Sequence, residues 1–118
     1  MNEEPLGRFE YCLNVAELGR SLEFYRRLGF EMIGGVIDEG WVIIRHGDCT
    51  LGLFQGHIER NLLNFRGGDV FAIAEALRAA GLKLSKEAHP EEDGSVAAEI
   101  FDPDGNCIYF NTFPGEEL

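Results

Sequence analysis

Leu18-Gly19-Arg20-Ser21-Leu22-Glu23-Phe24-Tyr25-Arg26-Arg27-Leu28-Gly29-Phe30 is the stretch whose reading decides the fold. Leu18, Leu22, Tyr25 and Leu28 recur at helical spacing, and Arg20, Glu23, Arg26 and Arg27 occupy the opposite face, so an amphipathic helix is expected. Gly29 supplies the residue type that ends a helix, and Phe30 stands where such a cap gains an apolar contact with the last turn. The pattern returns 52 residues later: Leu18 maps to Val70, Leu22 to Ala74, Tyr25 to Leu77, Gly29 to Gly81 and Phe30 to Leu82. A repeat of this length signals a tandem unit that cannot bury its apolar face alone.

Working outward from the first copy, residues 9 to 13 read as a strand, and three strands follow the helix at about 31 to 36, about 41 to 45 and 50 to 55. Asp38-Glu39-Gly40 and His46-Gly47-Asp48 are the turns between them. In the second copy residues 62 to 66 are a strand. Asp69 is the N-cap of a helix with Val70, Ile73, Ala74 and Leu77 on its apolar face, and Gly81 and Leu82 end it. Strands are expected near 82 to 85, 95 to 101 and 107 to 113. For the last strand the offset becomes 57, pairing Leu51 with Ile108 and Leu53 with Phe110. Five residues have therefore been added, most simply around Pro90-Glu91-Glu92-Asp93-Gly94, as a solvated surface loop. The final reversal, Asp102-Pro103-Asp104-Gly105-Asn106, combines a proline that presets φ, an aspartate that accepts from the backbone ahead of it, and a glycine for the left-handed position.

The expected fold class is α+β: two tandem βαβββ modules, about 8–56 and about 61–114, forming a curved, partly closed mixed sheet with the helices outside. The 118 residues make one domain of ordinary size, able to bury a core unaided. Each curled sheet leaves a concave inner face, where a small ligand would go. A net charge of −11 with no basic run argues against a nucleic-acid partner. The N-terminal residues have no signal-peptide pattern, and no apolar run approaches the length of a membrane span, so a cytoplasmic protein is expected. Cys12, Cys49 and Cys107 are odd in number and lack CxxC spacing, which fits reduced thiols.

The run from Leu13 through Phe30 resembles the first helix of the vicinal oxygen chelate superfamily, the glyoxalase, bleomycin-resistance and extradiol-dioxygenase group. Asp102-Pro103-Asp104-Gly105-Asn106 with Ile108 resembles that family's last hairpin. The resemblance implies paired βαβββ modules, commonly a homodimer, and a cavity inside the sheet. Metal-dependent members hold a divalent ion with His and Glu from four strand positions, which fall here on Glu10, Gly52, Leu62 and Tyr109. Only Glu10 is a strong ligand, since Gly52 and Leu62 offer no donor atom and a neutral phenol is a poor one. No metal or other cofactor is expected.

Strand alternation turns Cys12 to the face of Glu10, Cys107 and Asn111 to that of Tyr109, Thr50 and Phe54 to that of Gly52, and Asn64 to that of Leu62. The expected lining of carboxylate, amides and aromatics suits an organic ligand in an apolar cleft. Glu10 has three roles open to it: an ion pair with an arginine such as Arg66, a contact to a cationic ligand group, or a general base. Tyr109 is either a core aromatic or a ligand contact, and Trp41, the only tryptophan, either walls the cavity or dimer interface or fills the core. His46 in its turn and His89 before a proline read as solvated, and His57 as a possible partner of Glu10 in an unusual metal site. The resulting expectation is a metal-independent small-molecule-binding protein, suited to a cationic ligand and assembled as a homodimer. The alternative is a lyase, isomerase or dioxygenase using an unconventional metal site or Glu10 and Tyr109 as acid and base, so catalysis is left open.

Overall fold

A computed structural model describes residues 3–115. The fold is α+β, and the chain runs as βαβββ twice. The first module comprises β1 (Gly7–Asn14), α1 (Leu18–Leu28), β2 (Glu31–Val36), β3 (Trp41–His46) and β4 (Cys49–Phe54); the second comprises β5 (Leu62–Gly67), α2 (Val70–Ala79), β6 (Lys86–Pro90), β7 (Val96–Phe101) and β8 (Cys107–Thr112). The chain divides into two compact units, one of them Glu10–Leu62 and the other containing β5 from Leu63 to β8.

Within the first unit the strand order is β2-β3-β4-β1, with β1 parallel to β4 and the other neighbours antiparallel. Leu18 and Leu22 of α1 bury against Val42, Ile44, Leu51 and Leu53, with Tyr11, Leu13, Tyr25 and Phe30 around them. Gly29 takes φ 106° and gives its N–H to the Arg26 carbonyl, while the Phe30 N–H reaches Tyr25 O at 3.1 Å. Phe30 then meets the Tyr25 ring edge-on at 5.5 Å, the contact expected of this cap. Leu28 was expected on the buried stripe, yet is 57% exposed. At 100° per residue it falls about 100° from the axis of Leu18 and Leu22, and Phe30 closes the core there instead. The N-terminus of α1 has no cap from Glu17; Gln55, just beyond β4, accepts the Leu18 N–H at 2.7 Å.

The second unit has the order β5-β8-β7-β6, with β5 parallel to β8. Val70, Ile73, Ala74 and Leu77 of α2 pack on Ala98, Ile100 and Phe110. Asp69 accepts the Ala72 N–H at 3.1 Å as the N-cap. The duplication holds in the registers: Tyr11 faces Leu51 in the first unit, and Leu63 faces Ile108 in the second. The pair Val42 and Leu53 corresponds to Ala98 and Phe110, which places four of the five added residues ahead of β7 and one in the last hairpin.

Three expectations are corrected. The strand placed near 82–85 begins at Lys86. Leu84 is buried against α2 and drew the reading early, whereas β6 itself (Lys-Glu-Ala-His-Pro) is an edge strand with four exposed positions and no apolar alternation. His46 is the last residue of β3, its ring 5.7 Å from Phe30, and is not part of a turn. Residues Ile37–Glu39 form a single 3-10 turn rather than a simple hairpin loop.

Candidate functional site

In each unit one sheet face carries the helix and the other turns away from it. Since Tyr11, Leu13, Leu51 and Leu53 pack under α1, alternation places Glu10, Cys12, Gly52 and Phe54 on the opposite face, with Trp41 beside Phe54 on β3. That face is closed by side chains. The Trp41 and Phe54 rings stack at 6.2 Å with an interplanar angle of 6°, and His57 meets Phe54 edge-on at 6.4 Å. A Cβ added at Gly52 would lie 2.6 Å from the Phe54 ring and 3.3 Å from the Cys12 sulfur. A larger residue at position 52 would have to displace the Phe54 ring, and Gly52 itself offers no donor atom to a metal. His57 Nε2 lies 2.6 Å from the Glu39 carbonyl, so the histidine straps the 3-10 turn to the aromatic stack. Glu10 is buried, at 7% exposed. Leu62, at the start of β5, is half-buried and has no donor atom.

The second unit differs. Phe65, Ala98, Ile100, Ile108 and Phe110 face α2, which turns Asn64, Ala97, Glu99, Cys107, Tyr109 and Asn111 the other way. Tyr109 sits between Asn64 of β5 and Glu99 of β7 in the register, and Asn111 between Arg66 and Ala97. A cavity of about 570 Å³ lies over this face, floored by Ala97, Tyr109, Asn111 and Phe113 and lipped by Glu91, Glu92 and Asp93. The acidic loop is exposed as expected, but it is also the wall of the cavity. Asp93 Oδ1 accepts from the Ser95 N–H at 2.9 Å and its hydroxyl at 2.6 Å, and the Glu91 N–H reaches Ser95 O at 2.7 Å. These bonds fix the lip and hold the Asp93 carboxyl below its usual range, the Ser95 hydroxyl contributing most. His89 is exposed, as expected, and its Nε2 lies 3.1 Å from the Glu91 carboxylate. The Arg66 guanidinium lies 4.7 Å from the centre of the Phe113 ring.

Burial pushes the Tyr109 phenol up from 10.0, with Glu91 and Glu99 adding to the effect. The Oδ1 atoms of Asn64 and Asn111 are buried and accept no hydrogen bond from any described residue. Asn64 as a whole is only 5% exposed. Glu99, unremarked in the sequence, is 9% exposed and accepts from the Ser85 hydroxyl at 2.8 Å and the Cys107 thiol at 3.5 Å. Its signal was a single charge within the apolar run Val96-Ala97-Ala98-Glu99-Ile100. Cys12 and Cys107 are buried cysteines outside any disulfide, and Cys49 is exposed.

No curated protein matches the chain. Among solved structures, a glyoxalase/bleomycin resistance protein/dioxygenase superfamily member from Vibrio splendidus 12B01 is 18% identical with a TM-score of 0.64, over 89% of this chain and 97% of that one. A Legionella pneumophila protein described as an NAD-dependent benzaldehyde dehydrogenase is 16% identical with a TM-score of 0.75, over 89% and 98%. The hypothetical protein BH1468 from Bacillus halodurans C-125 is 13% identical with a TM-score of 0.65, over 98% and 99%. At such identities these likenesses speak for the fold alone. The model of the Glyoxalase/Bleomycin resistance protein/Dioxygenase superfamily matches residues 7–110. With nearly the whole chain matched, and the βαβββ order repeated in register, the protein belongs to the glyoxalase/bleomycin resistance protein/dioxygenase superfamily.

Proposed function

We propose that the protein binds a small organic molecule without a metal ion, on the sheet face that each module turns away from its helix. The observation that carries this reading is the contrast between the two modules. In the first, Phe54 fills the space a ligating side chain at position 52 would need; in the second, a cavity of about 570 Å³ stands open above Tyr109 and Asn111. That volume lies within the range of small-molecule sites, and a mixture of aromatic rings with a few polar groups is their usual lining. Asn64, Cys107, Tyr109 and Asn111 serve the second module's face. Glu10, Cys12, Trp41, Gly52 and Phe54 serve the first module's face, in which Trp41 and Phe54 are the aromatic surface, and Leu62 stands at the start of β5.

One observation weakens the acid–base form of the enzymatic alternative. A phenol raised above 10.0 is moved further from the pH at which acid–base catalysis is efficient. The protein is further proposed to work in the cytoplasm as a homodimer, in keeping with the exposed apolar Ile33, Val36 and Ile37 around the end of β2. No helix among the described residues is long and apolar enough to cross a membrane.

The test is a thermal-shift screen of a chemically diverse organic library on the native chain and on Tyr109→Ala. Compounds that raise Tm for the native chain but not for the variant are expected, because ligands that bind only the folded state stabilise it by mass action. A library without a single stabilising compound contradicts the reading.

A further inference from the structure

The cavity of the second module is surrounded by acceptors. Three successive carboxylates, Glu91, Glu92 and Asp93, form its lip, and the Asp93 bonds to Ser95 keep them there in the absence of any ligand. Asn111 forms part of the floor, and its Oδ1 is buried without a donor; so is that of Asn64, in the strand beside Tyr109. An isolated buried acceptor is costly, and the terminal torsion of asparagine is broad, so a donor arriving in the cavity can draw the Asn111 oxygen toward it and relieve that cost. Glu92 makes no ion pair with any described residue, and Glu99 adds a fourth carboxylate on the floor side, while the His89 ring lies 3.1 Å from Glu91 and the Arg66 guanidinium lies over Phe113. The lip also lies in the stretch ahead of β7 that carries four of the five residues by which the second module exceeds the first.

We propose that this cavity receives the protonated amine or guanidinium end of an aromatic or apolar ligand, held between the carboxylates of Glu91 and Glu92 and the amide oxygen of Asn111, with Tyr109 and Phe113 against its apolar part. The proposal rests on the small-molecule-binding reading above and moves cation recognition from Glu10 to the acidic lip. Burial first, and then Glu91, Glu99 and Asp93 through space, push the Tyr109 phenol up, in keeping with a negative field over this face. A cationic group suits such a site because its hydrogen bonds to carboxylates are the strong, charge-assisted kind.

Isothermal titration calorimetry of the full chain with phenethylamine, phenethyl alcohol and phenylacetate tests the proposal, using native protein and the double variant Glu91→Gln/Glu92→Gln, which leaves the Asp93–Ser95 bonds in place. The amine is expected to bind about tenfold more tightly than the alcohol, the worth of one charge-assisted hydrogen bond, with phenylacetate weakest. The double variant is expected to lose that preference, and sodium chloride to weaken amine binding to the native chain, a readout that needs no variant. Equal binding of amine and alcohol, a preference that survives in the double variant, or binding of neutral library compounds with none of the amine overturns the cation site and leaves small-molecule binding standing. Failure of every organic compound overturns both.

Discussion

At the scale of single residues, Tyr109 and Asp102 show how environment sets chemistry. Tyr109 is half-buried among carboxylates, so its folded-state pKa lies above the ordinary 10.0. A raised pKa favours the neutral phenol, so the stability linked to it is present below 10.0 and is lost as pH rises through the folded value. Ultraviolet titration of tyrosinate should accordingly show one late-titrating tyrosine that Tyr109→Phe removes and Glu99→Gln moves downward; a Glu99→Gln titration identical to the native one contradicts this assignment. Asp102 behaves oppositely. Its Oδ1 accepts the N–H groups of Asp104 and Asn106 at 2.9 and 2.8 Å, and its Oδ2 accepts from the Asn106 side chain at 2.8 Å. The Asn106 side chain, then its backbone, lowers the Asp102 pKa from 3.8. The associated stability is present above 3.8 and lost as pH falls through the folded value, so Asp102→Asn should flatten the acid limb of a Tm-against-pH curve relative to the native chain. Gly52 is the third case. A methyl group there meets the Phe54 ring at 2.6 Å, so Gly52→Ala should displace Phe54, change the fluorescence of Trp41 stacked on it, and cost about 1–3 kcal/mol in urea unfolding. Unchanged Trp41 emission would show that the aromatic stack is not where the structure has it.

At the scale of elements, the helices were legible and one strand was not. The 3.6-residue stripe, the Gly29-Phe30 ending and the Asp69 cap are local signals, each answered by a bond: Phe30 N–H to Tyr25 O, Ala72 N–H to Asp69 Oδ1. Registers followed from the 52- and 57-residue offsets because both modules bury the same face of the same strands. The β6 strand escaped because its hydrogen bonds to β7 are the reason it exists, and its exposed side chains carry no periodic trace of them. The α1 cap escaped for a related reason: its acceptor is Gln55, 37 residues away from Leu18, and no local pattern announces it. Removing that cap with Gln55→Ala should cost about 1 kcal/mol in denaturant unfolding, as for other lost N-caps, with an unchanged m-value; a neutral substitution would mean that the Leu18 N–H finds another acceptor.

At the scale of the whole molecule, the candidate site was half legible. Alternation from Tyr109 turned Cys107 and Asn111 to its face and alternation from Leu62 turned Asn64 inward, both starting points coming from the family resemblance; in the structure Asn64, Cys107, Tyr109 and Asn111 lie on the face turned away from α2. The sequence could not indicate that Phe54 folds over Gly52, because that depends on a rotamer, or that the acidic insertion borders a cavity, because that depends on where a loop lies. These two non-local facts support the organic-ligand reading that the sequence already favoured over a metal centre. The most direct measurement is elemental analysis of chain purified without chelator, joined to a thermal-shift titration with Zn, Mn, Ni and Fe(II). No stoichiometric ion and no rise in Tm with any of the four is the predicted result; about one ion per chain, with a rise in Tm that Glu10→Gln abolishes, would contradict metal-independent binding.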